Sequence, residues 1–278
     1  MFSGRKLLIA TKHQKEKAIA PILEKELGVI AILASNLDTD VLGTFTGEIE
    51  RKEDPIATAR KKCLMAMTLI DCDLVIASEG SFGPHPVVHF LPANIEFLLF
   101  IDKKNDLEIV VKELSTTTNF NASTIKTTAE LNSFAMQAGF PEHGLILRKS
   151  KDDFSTIEKG ITDKELLHEI FNRLCSKYGG AYIETDMRAM YNPTRMKVIG
   201  LATQKLLQKI NNLCQVCKTP GFAITQSKQG LPCSLCHSKT QSILSYIYTC
   251  KKCSYTQEDK FPNGKYAEDP RYCDRCNP

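Results

Sequence analysis

Eight of the eleven cysteines stand as four C-x-x-C pairs near the end of the chain: Cys214 with Cys217, Cys233 with Cys236, Cys250 with Cys253, and Cys273 with Cys276. A C-x-x-C turn aims two sulfurs at one point, and a second such turn brought to that point completes a tetrahedral zinc site of four thiolates. The spacings C-x2-C-x15-C-x2-C and C-x2-C-x19-C-x2-C leave room for a hairpin in each interval, with Pro220, Gly221, Gly230, Pro232, Asn263 and Gly264 as turn formers. Two structural zinc ions are therefore expected, with the first two turns closing one site and the last two the other. An interleaved cross-brace is the alternative. Cys233 to His237 also spells C-x-x-C-H, but haem attachment requires export, and His237 is assigned to a place behind the ligands or to solvent, not to the metal. Phe222, Tyr246, Tyr248, Tyr255 and Phe261 supply the thin core of such a module, with base stacking or a partner's pocket as the other use.

Polar residues cluster at the ends of apolar runs elsewhere, where α/β sheets place ligands. Thr11, Lys12, His13 and Lys15 follow the run KLLIA and precede a helix, so hydroxyl, imidazole, ammonium and backbone N–H groups could meet a phosphate. Glu79 follows the run DLVIA and is flanked by the glycines of SEGSFGPHP, a position suited to a metal-binding carboxylate or a general base, with His85 to assist. In a strand, Glu184, Asp186 and Arg188 would share one face, and two carboxylates with a guanidinium there imply an ion-pair network or a metal and phosphate site. Arg195 adds a second fork for phosphate. Asp38, Thr39, Asp40, Gly43, Gly47 and Glu48 mark a long loop of the kind that closes over ligands.

The elements that must position these groups alternate. Strands are expected over residues 6–10, 29–33, 73–77, 96–101, 107–114, 145–148 and 181–187. Helices are expected over 15–27, with Pro21 kinking or delaying it, then 54–70, 127–138, a helix capped by Thr162 and Glu165 that runs to 178, and one opened by Asn192 and Pro193 that ends near 211. This pattern predicts an α/β fold, a mixed sheet flanked by helices, over residues 1–210, followed by a small zinc-ribbon module over 211–278. On this arrangement Thr11, Glu79 and Asp186 should face one cleft.

With 278 residues, 42% of them hydrophobic, the chain can bury a full core. No apolar run reaches the roughly 18 residues of a membrane span, so a cytoplasmic protein with no membrane partner is expected. Cys63, Cys72 and Cys175 fit as small core residues. The net charge of +4 falls entirely on residues 211–278. Two Zn²⁺ ions with eight thiolates contribute −4, so the metallated tail is formally neutral, and charge does not imply a nucleic-acid surface.

The blocks IATKH, DTDVLGTFTGEI, ASEGSFGPHP, FPEHGLIL, ETDMRAMYNPTRM and YCDRCNP are similar to those of a bacterial family of unknown function that joins an α/β body to a cysteine-rich tail. That resemblance covers nearly the whole chain and supplies no activity. More distantly, Ala10-Thr11-Lys12-His13 and Ser78-Glu79-Gly80-Ser81 resemble the A-T-x-N strand end and D-D-S-G turn of the inosine triphosphate pyrophosphatase fold, with His13 in place of the asparagine and one acid in place of two. With the polar clusters at the strand ends, the leading expectation is an Mg²⁺-dependent hydrolase or transferase acting on a nucleotide or related phosphorylated small molecule. Glu79, Asp186 and Glu184 would hold metal or activate water, and Thr11, Lys12, His13, Lys15, Arg188 and Arg195 would take phosphate. The alternative is a non-catalytic zinc-ribbon adaptor for nucleic acid or a protein partner.

Overall fold

Leu7, Leu8, Ile9 and Ala10 are all without exposed surface, as a central parallel strand covered on both faces requires. This strand is β1, Lys6–Ala10. In the computed structural model, which describes residues 1–34 and 54–278, it is followed by helix α1, Glu16–Leu27, and strand β2, Ile30–Leu33. Gly28 closes α1 in the left-handed region at φ 66°, a conformation that costs a glycine nothing. Pro21 lies inside this helix and does not delay its start. Helix α2, Pro55–Leu69, opens as its sequence predicts: Asp54 accepts from the backbone N–H groups of Ile56 and Ala57, and Pro55 takes the first turn.

Strand β3, Leu74–Pro84, then returns to the other side of β1, with Ala10 opposite Ala77 as the last parallel pair. Hairpins add β4, Pro92–Asp102, and β5, Leu107–Ser115, antiparallel. The resulting mixed sheet has the order β2-β1-β3-β4-β5. Leu8, Ala10, Val75, Ala77 and Leu99 pack against Ala59, Cys63 and Ala66 of α2 on one face. By the two-residue period of a strand, Glu79 projects to that same face, while Ser78 and Gly80 project to the other.

The segment SEGSFGP differs from its expected loop form: it continues β3, paired with β4 from Ser78↔Leu98 to Pro84↔Pro92. Glycine weakens an isolated strand, but here Gly80 makes room. A Cβ at that position would lie 2.4 Å from Arg195 Nη2 and 2.7 Å from Glu96 Oε1. Glu96, directly across from Gly80, forms an ion pair with Arg195 at 2.7 Å, and neither side chain is exposed. Arg195 Nη1 also donates to the Met187 carbonyl at 2.5 Å, and the guanidinium stands over the Phe82 ring.

A second sheet, not the single one expected, completes this part of the chain. It comprises β6, Ala122–Ile125; β7, Leu145–Arg148; β8, Glu158–Ile161; and β9, Ala181–Thr185, in the order β6-β9-β7-β8 with all neighbours antiparallel. β6 and β8 are short, polar and missing from the sequence-based expectation, because their pairing partners and not their composition make them strands. Helices α3, Thr128–Ala138, and α4, Lys164–Tyr178, bury Leu131, Phe134, Leu167, Ile170, Phe171 and Leu174 against one face. The α4 cap is Asp163, which accepts from Leu166 N, and not Thr162; a full capping box belongs instead to α3, between Thr127 and Glu130. Asn192 accepts from Arg195 N to start α5, Pro193–Asn211.

The described residues divide into two compact units, Met1–Leu206 and Leu207–Pro278. The second is a three-stranded antiparallel meander of β10, Ala223–Gln229; β11, Ile243–Thr249; and β12, Thr256–Lys260. Phe222 stacks on Tyr255 and tilts against Tyr248, with ring centroids 5.9 and 5.6 Å away, which gives this small unit its aromatic core.

Removing one partner of the Arg195–Glu96 pair strands a buried charge. Glu96→Gln is expected to cost about 3–5 kcal/mol, read as a lower urea midpoint for the first unit. Gly80→Ala should also lower that midpoint, since the added methyl has no space. Unchanged midpoints in both variants would remove the ion pair from the architecture.

Candidate functional site

In the cysteine unit, Cys214, Cys217, Cys250 and Cys253 gather at one place, and Cys233, Cys236, Cys273 and Cys276 at another; within each group the sulfurs lie within 4.8 Å of one another. The sequential pairing expected from spacing is thus corrected to an interleaved one. The reason is the meander. Each strand reverses direction, so turns separated by two strands return to the same end of the sheet, while consecutive turns are kept apart by a strand. Seven residues of β10 at about 3.4 Å each hold the first turn roughly 20 Å from the second.

The first three turns are built alike. Lys218, His237 and Ser254, each directly after the second cysteine of its pair, adopt the left-handed region at φ 58°, 57° and 58°. Their N–H groups donate to the carbonyls of Cys214, Cys233 and Cys250, and these three cysteines donate their own N–H groups to the carbonyls of Thr219, Ser238 and Tyr255. His237 therefore serves as a turn residue. Four sulfurs about 2.3 Å from a tetrahedral zinc stand about 3.8 Å apart. The structure has Cys214–Cys253 at 3.7 Å, Cys217–Cys250 at 3.5 Å, Cys233–Cys276 at 3.8 Å and Cys236–Cys273 at 3.6 Å. The hydroxyl and backbone of Thr219 hold the Cys217 thiol down to about 6, and those of Ser238 do the same for Cys236, whereas Cys253 and Cys276 in the same tetrads are pushed up to about 12, so in each tetrad one thiol most readily gives the thiolate that a metal requires. Each tetrad can hold one metal ion such as zinc. Cys63 is buried in the first unit, where desolvation pushes its thiol up and leaves it inert.

In the first unit, a buried polar cluster lies where β1 ends. Lys15 is 3% exposed, and its Nζ donates to Ser78 Oγ at 3.0 Å and to the Ser78 carbonyl at 3.2 Å. Desolvation, followed by the Arg195 charge, lowers the Lys15 ammonium to about 7, against smaller opposing effects from Glu96 and Glu79. Glu79 is ion-paired with Lys62 of α2. His13 and Gln14 both have positive φ, 68° and 60°, and this double left-handed turn carries the chain from β1 into α1 ahead of Lys15. Thr11 donates its hydroxyl to the Lys12 carbonyl at 3.0 Å.

The remaining predicted residues belong to other clusters. β9 ends at Thr185, so Asp186 and Arg188 lie beyond the strand and the expected alternation with Glu184 does not apply. Asp186 has no exposed surface; it accepts from Gly160 N at 3.1 Å and from Arg188 Nη2 at 2.7 Å. Arg188 lies over Tyr191, whose ring fills the space beside Gly160. Glu184 pairs with Arg148 at 3.1 Å, and Arg148 in turn faces the rings of Phe154 and Tyr182. Of Thr11, Glu79 and Asp186, expected to face one cleft, Glu79 is engaged by Lys62 on the α2 face, and Asp186, beyond the end of β9, is engaged by Gly160 N and Arg188. Asp38, Thr39, Asp40, Gly43, Gly47 and Glu48 lie outside the described residues. Ser78, Lys62 and Glu96 were missed in sequence. Ser78 stands in the SEGSFGP block, where the neighbouring Glu79 carried the stronger chemical signal.

Residues 62–278 match the model of a family described as a domain of unknown function (DUF6671), and the chain belongs to that family. No curated protein matches the chain. The matched span takes in Ser78, Glu79, Glu96, Arg195 and all eight paired cysteines, while Thr11 to Lys15 precede it. Among the described residues, no helix is long and apolar enough to cross a membrane.

The interleaved geometry has a distinctive genetic signature. Protein purified without chelator should hold two zinc ions, and Cys217→Ser with Cys250→Ser should leave one, because both changes fall on the same site. Cys217→Ser with Cys233→Ser should leave none. Sequential pairing demands the reverse, and elemental analysis separates the two outcomes.

A lysine lowered to about 7 by folding from its ordinary 10.5 binds fewer protons folded than unfolded between those limits, so its contribution to stability rises with pH across that window. The Lys15 ¹³Cε resonance should titrate near pH 7. The stability of the wild type relative to Lys15→Met should improve from pH 7 to 10. A Lys15 midpoint above 9 would contradict the cluster.

Proposed function

We propose that this family member is a hydrolase or transferase acting on a phosphorylated small molecule, such as a nucleotide, bound at the carboxyl edge of the parallel strands of the five-stranded sheet. The two tetrads would hold zinc ions as structural braces of the second unit. The observation that carries the reading is the position of Lys15. From β1 the chain moves outward through α1 to β2 on one side, and it returns through α2 to β3 on the other. At such a switch point the connections leave in opposite directions and open a crevice, the usual ligand position in α/β sheets. Lys15 reaches Ser78 there, one residue past the last β1–β3 pair. An N–H donor held out of water gains more from a phosphate than a solvated one does.

Thr11, Lys12 and His13 share that turn and complete the phosphate-binding set. Glu79 is neutralised by Lys62 and Asp186 by Arg188, so neither is assigned to Mg²⁺. Arg188, Glu184 and Arg195 receive structural ion-pair roles. The inosine triphosphate pyrophosphatase likeness enters only as a further reason to choose nucleotides as the first ligands to try. A second reading, an adaptor that docks a protein or nucleic acid through the second unit, draws support from Val216 and Leu235, which stand 63% and 69% exposed inside two of the cysteine turns.

The test is thermal shift with a panel of nucleoside mono-, di- and triphosphates, sugar phosphates and inorganic phosphate, with and without Mg²⁺. At least one compound should raise the melting temperature. Lys15→Met should weaken its binding by roughly 10- to 100-fold, as expected when a charged phosphate loses a buried hydrogen-bond donor. A flat panel, or a shift of equal size in Lys15→Met, would favour the adaptor.

A further inference from the structure

We propose that Ser78 and Lys15 form a nucleophile and base pair, in which Ser78 Oγ attacks the phosphoryl group of the ligand and Lys15 Nζ takes the hydroxyl proton. This rests on the phosphate-site reading and names the reacting atoms within it. The 3.0 Å separation of Nζ and Oγ lies within the reach that an activated nucleophile and its base require. Both groups are fixed from the backbone outward. Ser78 sits within β3, hydrogen-bonded into the ladder opposite Leu98, and Lys15 stands immediately before α1. Serine with lysine recurs as a nucleophile and base on unrelated folds.

A base must be neutral at working pH, and a solvated lysine, with a value near 10.4, is almost entirely protonated there. Burial makes the difference for Lys15, lowering it to about 7, with Arg195 and Lys62 acting in the same direction and Glu96 and Glu79 against it. Lys15 and Ser78 are respectively 3% and 1% exposed, so the desolvation that lowers the amine acts on the pair itself.

The step balances without an outside reactant other than water. Neutral Lys15 accepts the Ser78 proton as Oγ bonds to phosphorus. The bond from phosphorus to the leaving oxygen breaks with its electron pair, and that oxygen takes the proton from the Lys15 ammonium. A water molecule then attacks the phosphoserine phosphorus and gives its proton to Lys15. Ser78 Oγ departs and recovers that proton, which restores both groups. An acceptor alcohol in place of water makes the same sequence a transfer.

A phosphorus electrophile that carries its own leaving group tests the pair without knowledge of the ligand. The full chain treated with diisopropyl fluorophosphate should gain one adduct, mapped to Ser78 by peptide mass spectrometry, at a rate that rises with pH through a midpoint near 7. Ser78→Ala should take up none. Lys15→Arg, which stays charged and cannot act as a base at neutral pH, should react at least about 100-fold more slowly, while its circular dichroism shows it folded. Absence of a Ser78 adduct in the folded wild type, or an unaltered rate in Lys15→Arg, overturns the pair. Either result alongside a preserved nucleotide shift in the wild type overturns the pair alone; a flat nucleotide panel overturns the phosphate-site reading beneath it.

Discussion

A guanidinium with no exposed surface sets the main constraint on the first unit. Arg195 joins Glu96 of the five-stranded sheet to the Met187 carbonyl at the exit from β9, and it does so from the first turn of α5. One side chain thus ties both sheets and a helix together. Burying this pair is costly, and the cost is offset only if every hydrogen-bonding direction of the guanidinium is met at good geometry. That requirement explains the surrounding residues: Gly80 has no side chain because the pair fills the space, and Asn192 caps the helix that carries the arginine. It also explains why a glycine-containing segment remains a strand.

The same pair bears on the polar cluster at the end of β1. Lys15 lies within the field of Arg195 and Glu96, and its lowered ammonium value reflects desolvation first and the arginine second. Architecture and the candidate chemistry therefore share charges. Buried ion pairs are poor sources of stability but strong determinants of position, and a lysine whose proton affinity matters needs neighbours that do not move. Glu79, held by Lys62 on the opposite face of β3, contributes to the field without being available for a metal.

In the second unit, sheet topology takes the place of a large core. Three short strands with a few aromatic contacts bury little apolar surface, and small domains of this kind depend on metal or disulfide cross-links. The meander sends alternate turns to the same end of the sheet. One tetrad therefore joins the turn before β10 to the turn between β11 and β12, and the other joins the turn between β10 and β11 to the turn after β12, so that the two clamp opposite ends. Glu268 reinforces the far end: its backbone pairs with that of Pro232 and Ser234 while its carboxylate accepts from Lys265, Ser242 and Asp269 N, which together, Lys265 foremost, hold it down to about 2.

Local signals in the chain were sufficient for β1, for the Asp54-Pro55 start of α2, for the Asn192-Pro193 start of α5 and for the eight cysteine ligand candidates, because each depends on residues a few positions apart. Strands β6 and β8, the extension of β3 and the early end of β9 were not legible, since pairing with a distant partner decides them. The same holds for the sites. The spacing of the C-x-x-C pairs identified which cysteines act as pairs, but strand direction decided which pairs meet. Ser78 and Lys15 lie 63 positions apart, and Glu96 and Arg195 lie 99 apart. The order of strands in a sheet brings such groups together, and no local spacing encodes that order, so the residue types present were determined by sequence alone while the partner of each buried charge and each thiol was decided by the tertiary fold.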